Sequence, residues 1–305
     1  MPDVLRDQLQ AALGDAYTLE RELGGGGMSR VFVARDEALA RLVVVKALLP
    51  ELASVVSVRR FALEVHAAAT LQHPHVVPVL RAGHTADETP FYLMPFVQGE
   101  TLRSRMSRGP VRFAEAVDLL ADVAKALGAA HEAGLVHRDV KPDNILITGG
   151  AAVVTDFGIA HAIHEAREET LDSRLTATGS SLGTPAYLAP EQAAGDAIDA
   201  RTDVYSWGVV AYEMVAGHHP FPRATTGRQL IVAHMAERPA MLAPRTNVTP
   251  IWFRELVMRC LEKDPGRRPS DGMALVRALE GASVATPSIG ARCAAGVRWL
   301  LFGPG

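Results

Sequence analysis

The sequence predicts an α+β fold, with strands first and helices after. Three observations carry this. Between residues 17 and 97, short apolar runs such as Val31–Ala34, Leu42–Lys46 and Phe91–Met94 are separated by glycine- and proline-containing breaks, the pattern of strands. Beyond residue 101, apolar residues recur at helical spacing, in the longest case from Phe113 to Ala133. The 305 residues are 48% hydrophobic and 21% charged, which supports a sizeable core and excludes a disordered chain. Such a length suits one large or two small domains.

A net charge of −3 argues against a nucleic-acid surface, which normally carries a basic excess. Two cysteines, Cys260 and Cys293, cannot build a disulfide framework or a zinc cluster, and Cys260 reads as a core residue of a helix. No secretory signal follows Met1, and no run approaches the roughly 20 apolar residues of a membrane span. The expected setting is therefore reducing and cytoplasmic, with membrane attachment only if the native chain extends beyond this one.

In residues 3–13, Val4, Leu5, Leu9, Ala12 and Leu13 share a helical face, so a short first helix should pack on the body. Tyr17–Leu23 reads as a strand, followed by Gly24-Gly25-Gly26-Gly27-Met28-Ser29 and a second strand at Val31. Backbone N–H groups at such a glycine tip can approach phosphates, though a plain flexible turn has the same composition. A strand, not a helix, follows the glycines, which disfavours a dinucleotide-binding unit. Lys46 ends a run of valines and needs an acidic partner. Glu64, on the amphipathic run from Val58 to Leu71, is the expected one. His73-Pro74-His75 reads as a turn and not a metal pair, since no cysteine or carboxylate cluster lies near it. Pro95 to Gly99 breaks the strand at Phe91–Met94. Helices are expected at Thr101–Arg108 and Phe113–Ala133, the latter ending at Gly134.

His137-Arg138-Asp139-Val140-Lys141-Pro142-Asp143-Asn144 follows, a polar loop pinned between that helix and a short apolar strand, Ile145–Ile147. Asp139 can accept a proton, Lys141 can hold a phosphate, and Asn144 can hold a metal ion. Pro142 stiffens the loop. A solvated turn would have the same residues, but Val153-Val154-Thr155-Asp156-Phe157-Gly158 supplies a second clue. Its acid, Asp156, can meet Asn144 over one divalent ion. A polar stretch from Ala160 to Leu182 comes next, too long for an ordinary loop. Asp203 opens an apolar helix over Val204–Ala216, and further helices are expected at Arg228–Ala236, Ile251–Glu262 and Ser270–Leu279. His218-His219 reads as surface, and the chain from Gly281 onward as a loose linker.

In residue type and order, the His137 loop and the Asp156 segment resemble the catalytic loop and the D-F-G segment of eukaryotic-type (Hanks-type) serine/threonine protein kinases, closest to the bacterial branch. The resemblance extends over roughly residues 17–280. It implies a bilobal protein-kinase fold: a small, mostly antiparallel β N-lobe with one helix at 17–97 and a larger helical C-lobe at 98–280. An N-terminal helix at 1–16 and a tail at 281–305 flank them. It further implies ATP beneath the glycine hairpin, contacted by Leu23, Gly24, Gly26, Ser29, Val31, Val44, Lys46, Glu64, Met94, Pro95, Val97 and Leu146. Lys46, oriented by Glu64, would hold the α and β phosphates. The Pro95 carbonyl and the Val97 N–H would take the adenine, with Met94 as gatekeeper. Asn144 and Asp156 would hold Mg2+, with Mn2+ as an alternative. Asp139 would take the proton of the substrate hydroxyl while Lys141 neutralises the phosphoryl charge.

The same resemblance makes 160–182 an activation loop that phosphorylates itself at Thr176 and Thr178, the phosphate pairing with Arg138. Thr184, together with Lys141, implies serine/threonine rather than tyrosine preference. Glu191 is expected to pair with Arg267, and Asp203 to brace the His137 loop. Protein substrates are the implied partners, along with a homodimer through the small lobes, as in bacterial relatives. Two departures stand out: Ser29 replaces the third glycine of the family pattern, and Val44 stands where the family usually has alanine, crowding the adenine face. The alternatives are a pseudokinase, which should have lost one of Lys46, Asp139, Asn144 or Asp156, and a small-molecule phosphotransferase, which should lack Gly183–Glu191.

Overall fold

The computed structural model describes residues 3–26, 29–49, 58–157, 185–242 and 249–284. The expectations placed on Thr176, Thr178, Thr184 and the tail past residue 284 lie outside these residues. The first part of the chain forms a five-stranded antiparallel sheet in the order β1-β2-β3-β5-β4. Its strands are β1 (Tyr17–Gly26), β2 (Ser29–Asp36), β3 (Arg41–Leu48), β4 (Arg81–His84) and β5 (Pro90–Pro95). Branched and aromatic residues dominate the buried positions of β2, β3 and β5, where they fit a pleated surface. Helix α1 (Val4–Leu13) covers one face, and its Leu5, Leu9 and Leu13 pack with Phe32, Val43, Val45, Phe91 and Leu93. Helix α2 (Val58–Ala69) carries buried Phe61 and Val65.

Asp3 caps α1 by accepting from Arg6 N. Its carboxylate also takes a fork from Arg30 at 2.6 and 2.5 Å, while Arg30 reaches Glu22 across the β1–β2 hairpin and lies 4.9 Å over the Phe32 ring. The Arg30 bonds hold the Asp3 carboxyl at about 2. The start of the chain is thereby fastened to the glycine hairpin.

The second part is built on α3 (Leu102–Ser107), α4 (Phe113–Glu132), α5 (Pro190–Ala194), α6 (Ala200–Ala216), α7 (Gly227–Ala236), α8 (Ile251–Cys260) and α9 (Gly272–Val284). A small sheet, β6 (Glu100–Thr101), β7 (Ile145–Thr148) and β8 (Ala151–Val154), lies against α4. One apolar core gathers Leu120, Val123 and Leu127 of α4, Val209 and Val210 of α6, Val257 and Cys260 of α8, and Leu275 of α9. Helices α4 and α9 approach so closely that a Cβ on Gly272 would lie 2.3 Å from Gly128 N. Among the described residues no helix is long and apolar enough to cross a membrane.

Two boundaries and one burial differ from expectation. Helix α6 begins at Ala200, capped by Asp199, so Asp203 sits in its first turn and is fully buried instead of opening it. Helix α9 continues through Gly281 to Val284, beyond the point where a linker was expected, because small residues such as Ala282 and Ser283 do not stop a helix that is already packed. His219 is half-buried, not surface, since its Nε2 meets the Ala186 carbonyl at 2.6 Å.

Candidate active site

Helix α4 ends at Glu132, and Gly134, with φ 76°, turns the chain toward the His137 loop. Asp203 braces that loop from below: its two oxygens accept the N–H groups of His137 and Arg138, each at 2.7 Å, while His131 Nε2 lies 2.9 Å away. Burial alone would raise the Asp203 carboxyl, but the His131 bond and the loop N–H groups outweigh it and hold it low. Arg138 has φ 67°, a conformation costing about 1–3 kcal/mol for a non-glycine residue. Its neighbours compensate: Gln192 Nε2 donates to the Arg138 carbonyl at 2.9 Å.

His137 is buried, bonds Thr155 O through Nε2 at 2.9 Å, and lies against Phe157 with ring centroids 4.5 Å apart and planes tilted by 57°. Asp139 then faces outward, its carboxylate 37% exposed. Lys141 Nζ reaches Asp139 Oδ2 at 2.7 Å, and Asn144 Nδ2 donates to the same oxygen at 2.9 Å and to Asp139 O at 2.8 Å. Pro142–Asn144 forms a single tight turn that aims Asn144 back at Asp139. Thr155 N donates to Asn144 O at 3.0 Å, so the segment ending in Asp156 is tied directly to the loop. The predicted Asp139, Lys141, Asn144 and Asp156 are thus gathered in one place.

Asp156 has φ 69°, and both of its oxygens are occupied. Lys46 Nζ holds Oδ2 at 2.6 Å, and the Tyr92 hydroxyl donates to Oδ1. Burial would raise the Asp156 carboxyl, but Lys46 and Tyr92 together hold it below its ordinary value. Burial and the neighbouring carboxylate push the Tyr92 hydroxyl well up, which keeps it a proton donor.

Two expected pairings are corrected here. Lys46 pairs with Asp156 where Glu64 was expected, because β3 points Lys46 at the carboxylate on the strand-end loop, and Glu64 sits half-buried on α2. Glu191 pairs with Arg268 and not with Arg267. The turn Pro265–Arg267 leaves Arg267 exposed beside Asp264, at 3.7 Å, and sends the next residue inward.

Several of the remaining predicted contacts lie on the five-stranded sheet that carries Lys46. Val31 stands opposite Lys46, Val44 opposite Met94 and Val43 opposite Pro95. Leu146 lies on β7, and Val44 is 6% exposed whereas Leu23 is 46% exposed. At the hairpin, a Cβ on Gly25 would lie 2.2 Å from Ser29 O, so the turn closes only because glycine is there. Sequence reasoning missed Tyr92. The alternation of β3 against β5, which pairs Tyr92 with Lys46, was the signal that could have found it.

The chain resembles known proteins over most of its length. Residues 17–279 match the family described as protein kinase domain. The serine/threonine-protein kinase PknB of Mycobacterium tuberculosis is 41% identical over 264 residues, covering 84% of this chain and 41% of that protein. The serine/threonine-protein kinase drp72 of Corynebacterium efficiens is 37% identical over 284 residues, covering 91% of this chain and 52% of that protein. Among solved structures, the kinase domain of Mycobacterium tuberculosis PknI, as a double mutant, superposes with a TM-score of 0.69 at 26% identity, covering 88% of this chain and 95% of that one. The chain therefore spans roughly two fifths to one half of these curated relatives' length.

Proposed function

This chain belongs to the protein kinase family, and from that membership we propose that it transfers the γ-phosphoryl group of ATP to serine or threonine hydroxyls of proteins. The observation that carries the proposal is the Asp139–Lys141–Asn144 cluster, with spacings of 2.7 and 2.9 Å, tied through Asn144 O to the segment holding Asp156.

The donor chemistry fits a magnesium ion. Asn144 spends its amide N–H groups on Asp139, which leaves its carbonyl oxygen as an acceptor, and Asp156 adds a carboxylate already neighboured by a cation, Lys46. Hard oxygen ligands in small number, completed by phosphate oxygens, are what magnesium takes. A divalent ion held there would neutralise charge on the phosphates during transfer.

The chain's own residues do the rest. Lys46 sits where it can exchange Asp156 for the α and β phosphates. Asp139, the exposed carboxylate, orients the substrate hydroxyl and accepts its proton. Lys141, now on Asp139, is placed to offset charge on the phosphoryl group. Asp203 keeps the loop fixed, so catalysis is mainly positioning and electrostatics. Thr176 and Thr178 are the proposed sites of self-phosphorylation, with Arg138 as the partner of the phosphate.

Incubation with labelled ATP and Mg2+, followed by phosphosite mapping, tests the activity and the two threonines together. Asp139→Asn should keep ATP binding and lower transfer about 100-fold or more. Substantial residual self-phosphorylation in that variant would refute the role given to Asp139.

A further inference from the structure

In the strand register Lys46 of β3 stands directly opposite Tyr92 of β5. Side chains so paired leave the sheet on one face, close together. Here both end on one carboxylate, Lys46 on Oδ2 of Asp156 and Tyr92 on Oδ1, and Thr155 adds a longer donor to Oδ1 at 3.4 Å.

The two main donors differ in what they can do next. Lys46 is 22% exposed on a flexible four-carbon stem, and its ammonium is a point charge that can move to a phosphate. Tyr92 is 2% exposed, and its ring lies against Phe61 with centroids 6.4 Å apart. A rigid, buried phenol cannot follow a moving partner, and its hydroxyl is costly to leave without an acceptor. Within Phe91-Tyr92-Leu93-Met94 the tyrosine reads as one more apolar strand residue until its register against Lys46 is drawn.

We propose that Tyr92 is a positioning residue for Asp156: its hydroxyl fixes Oδ1, so that Oδ2, the oxygen Lys46 covers, is the one presented to a divalent ion once a nucleotide draws Lys46 away. The inference rests on the metal-holding role of Asp156 proposed above. It assigns the two oxygens different tasks, one structural and one chemical. Outer partners of this kind set the direction and basicity of a ligand, and their loss weakens metal binding without touching the metal.

The test is Mn2+ binding to the full chain beside a non-hydrolysable ATP analogue, followed by electron paramagnetic resonance. Tyr92→Phe removes only the hydroxyl. Its Mn2+ dissociation constant should rise about tenfold, while its metal-free affinity for the analogue stays that of the wild type. Thr155→Val, which removes the weaker donor to the same oxygen, should raise the constant less, and it carries the test if Tyr92→Phe does not fold. An Mn2+ constant equal to or below the wild-type value overturns the proposal. So does an equal loss of metal-free analogue affinity, the mark of a generally loosened site. If the wild-type chain takes up no Mn2+ with the analogue, the metal-holding role of Asp156 falls, and this inference with it.

Discussion

Arg268 and Glu191 lie 77 positions apart and meet through two parallel hydrogen bonds of 2.7 and 2.8 Å. Their side chains are 0% and 5% exposed, and the remaining guanidinium N–H groups reach the carbonyls of Arg201, Glu262 and Lys263. Burial would raise the Glu191 carboxyl, but Arg268 outweighs it and keeps the group ionised. Helix α5 is thereby fixed to the segment that leads into α9.

The neighbouring arginines should therefore behave very differently. Arg268→Ala strands a buried carboxylate and should cost about 3–5 kcal/mol. Arg267→Ala touches only an exposed contact with Asp264 and should cost less than about 1 kcal/mol. Denaturant titration of the two variants checks this, and equal losses would reverse the assignment.

Asp203→Ala should release the His137 loop. The variant leaves the N–H groups of His137 and Arg138 without their acceptor, at about 1–3 kcal/mol each. Amide hydrogen exchange is the direct measurement, with protection at both positions expected to fall. Unchanged protection there would show that other contacts hold the loop.

His234 should make the fold acid-sensitive. Burial, then the neighbouring His219, push its imidazole from 6.5 down to about 3. It is packed by Tyr205, Phe221, His219 and Lys263, and its ring nitrogens meet the Tyr205 hydroxyl and the Ala186 carbonyl. Below pH 6.5 the unfolded chain binds a proton that the folded chain refuses. Stability from this group is thus complete above 6.5 and declines as pH falls toward 3, by at most about 1.4 kcal/mol per pH unit. His234→Gln should flatten the stability–pH curve in that window, as followed by urea midpoints at a series of pH values. A slope identical to wild type would exclude His234 as its source.

Gly25→Ala should strain the hairpin. The added carbon meets a backbone oxygen at 2.2 Å and the Arg30 Cα at 3.1 Å, neither of which can swing aside. Overpacking of this kind costs about 1–3 kcal/mol, and calorimetry with an ATP analogue should show weakened binding. Wild-type affinity would mean that the hairpin opens at no cost to the site.

Much of this was legible in advance because hydrophobic period is local. The strands around Val31, Val44 and Leu93 and the long helix α4 announce themselves in a few residues, as does the His137 loop between its apolar flanks. What escaped depends on where side chains point after the chain has folded. Arg267 and Arg268 differ by one step in a tight turn, which reverses inside and outside. Lys46 has two acids in its sequence neighbourhood of roles, Glu64 and Asp156, and only the packed geometry decides between them. Strand β6 has two residues, too few to carry a pattern, yet it pairs Thr101 with Leu146. His219 and His234 read as ordinary polar residues until both ring nitrogens are seen to face one carbonyl, that of Ala186.

The double duty of Asp3 has a practical edge. One carboxylate both starts the first helix and grips Arg30 near the start of β2. A protease trimming that aspartate away would release Arg30 of β2 as well as fray a helix end. Protein with and without its first three residues should therefore be compared for nucleotide affinity before either is taken as the reference form.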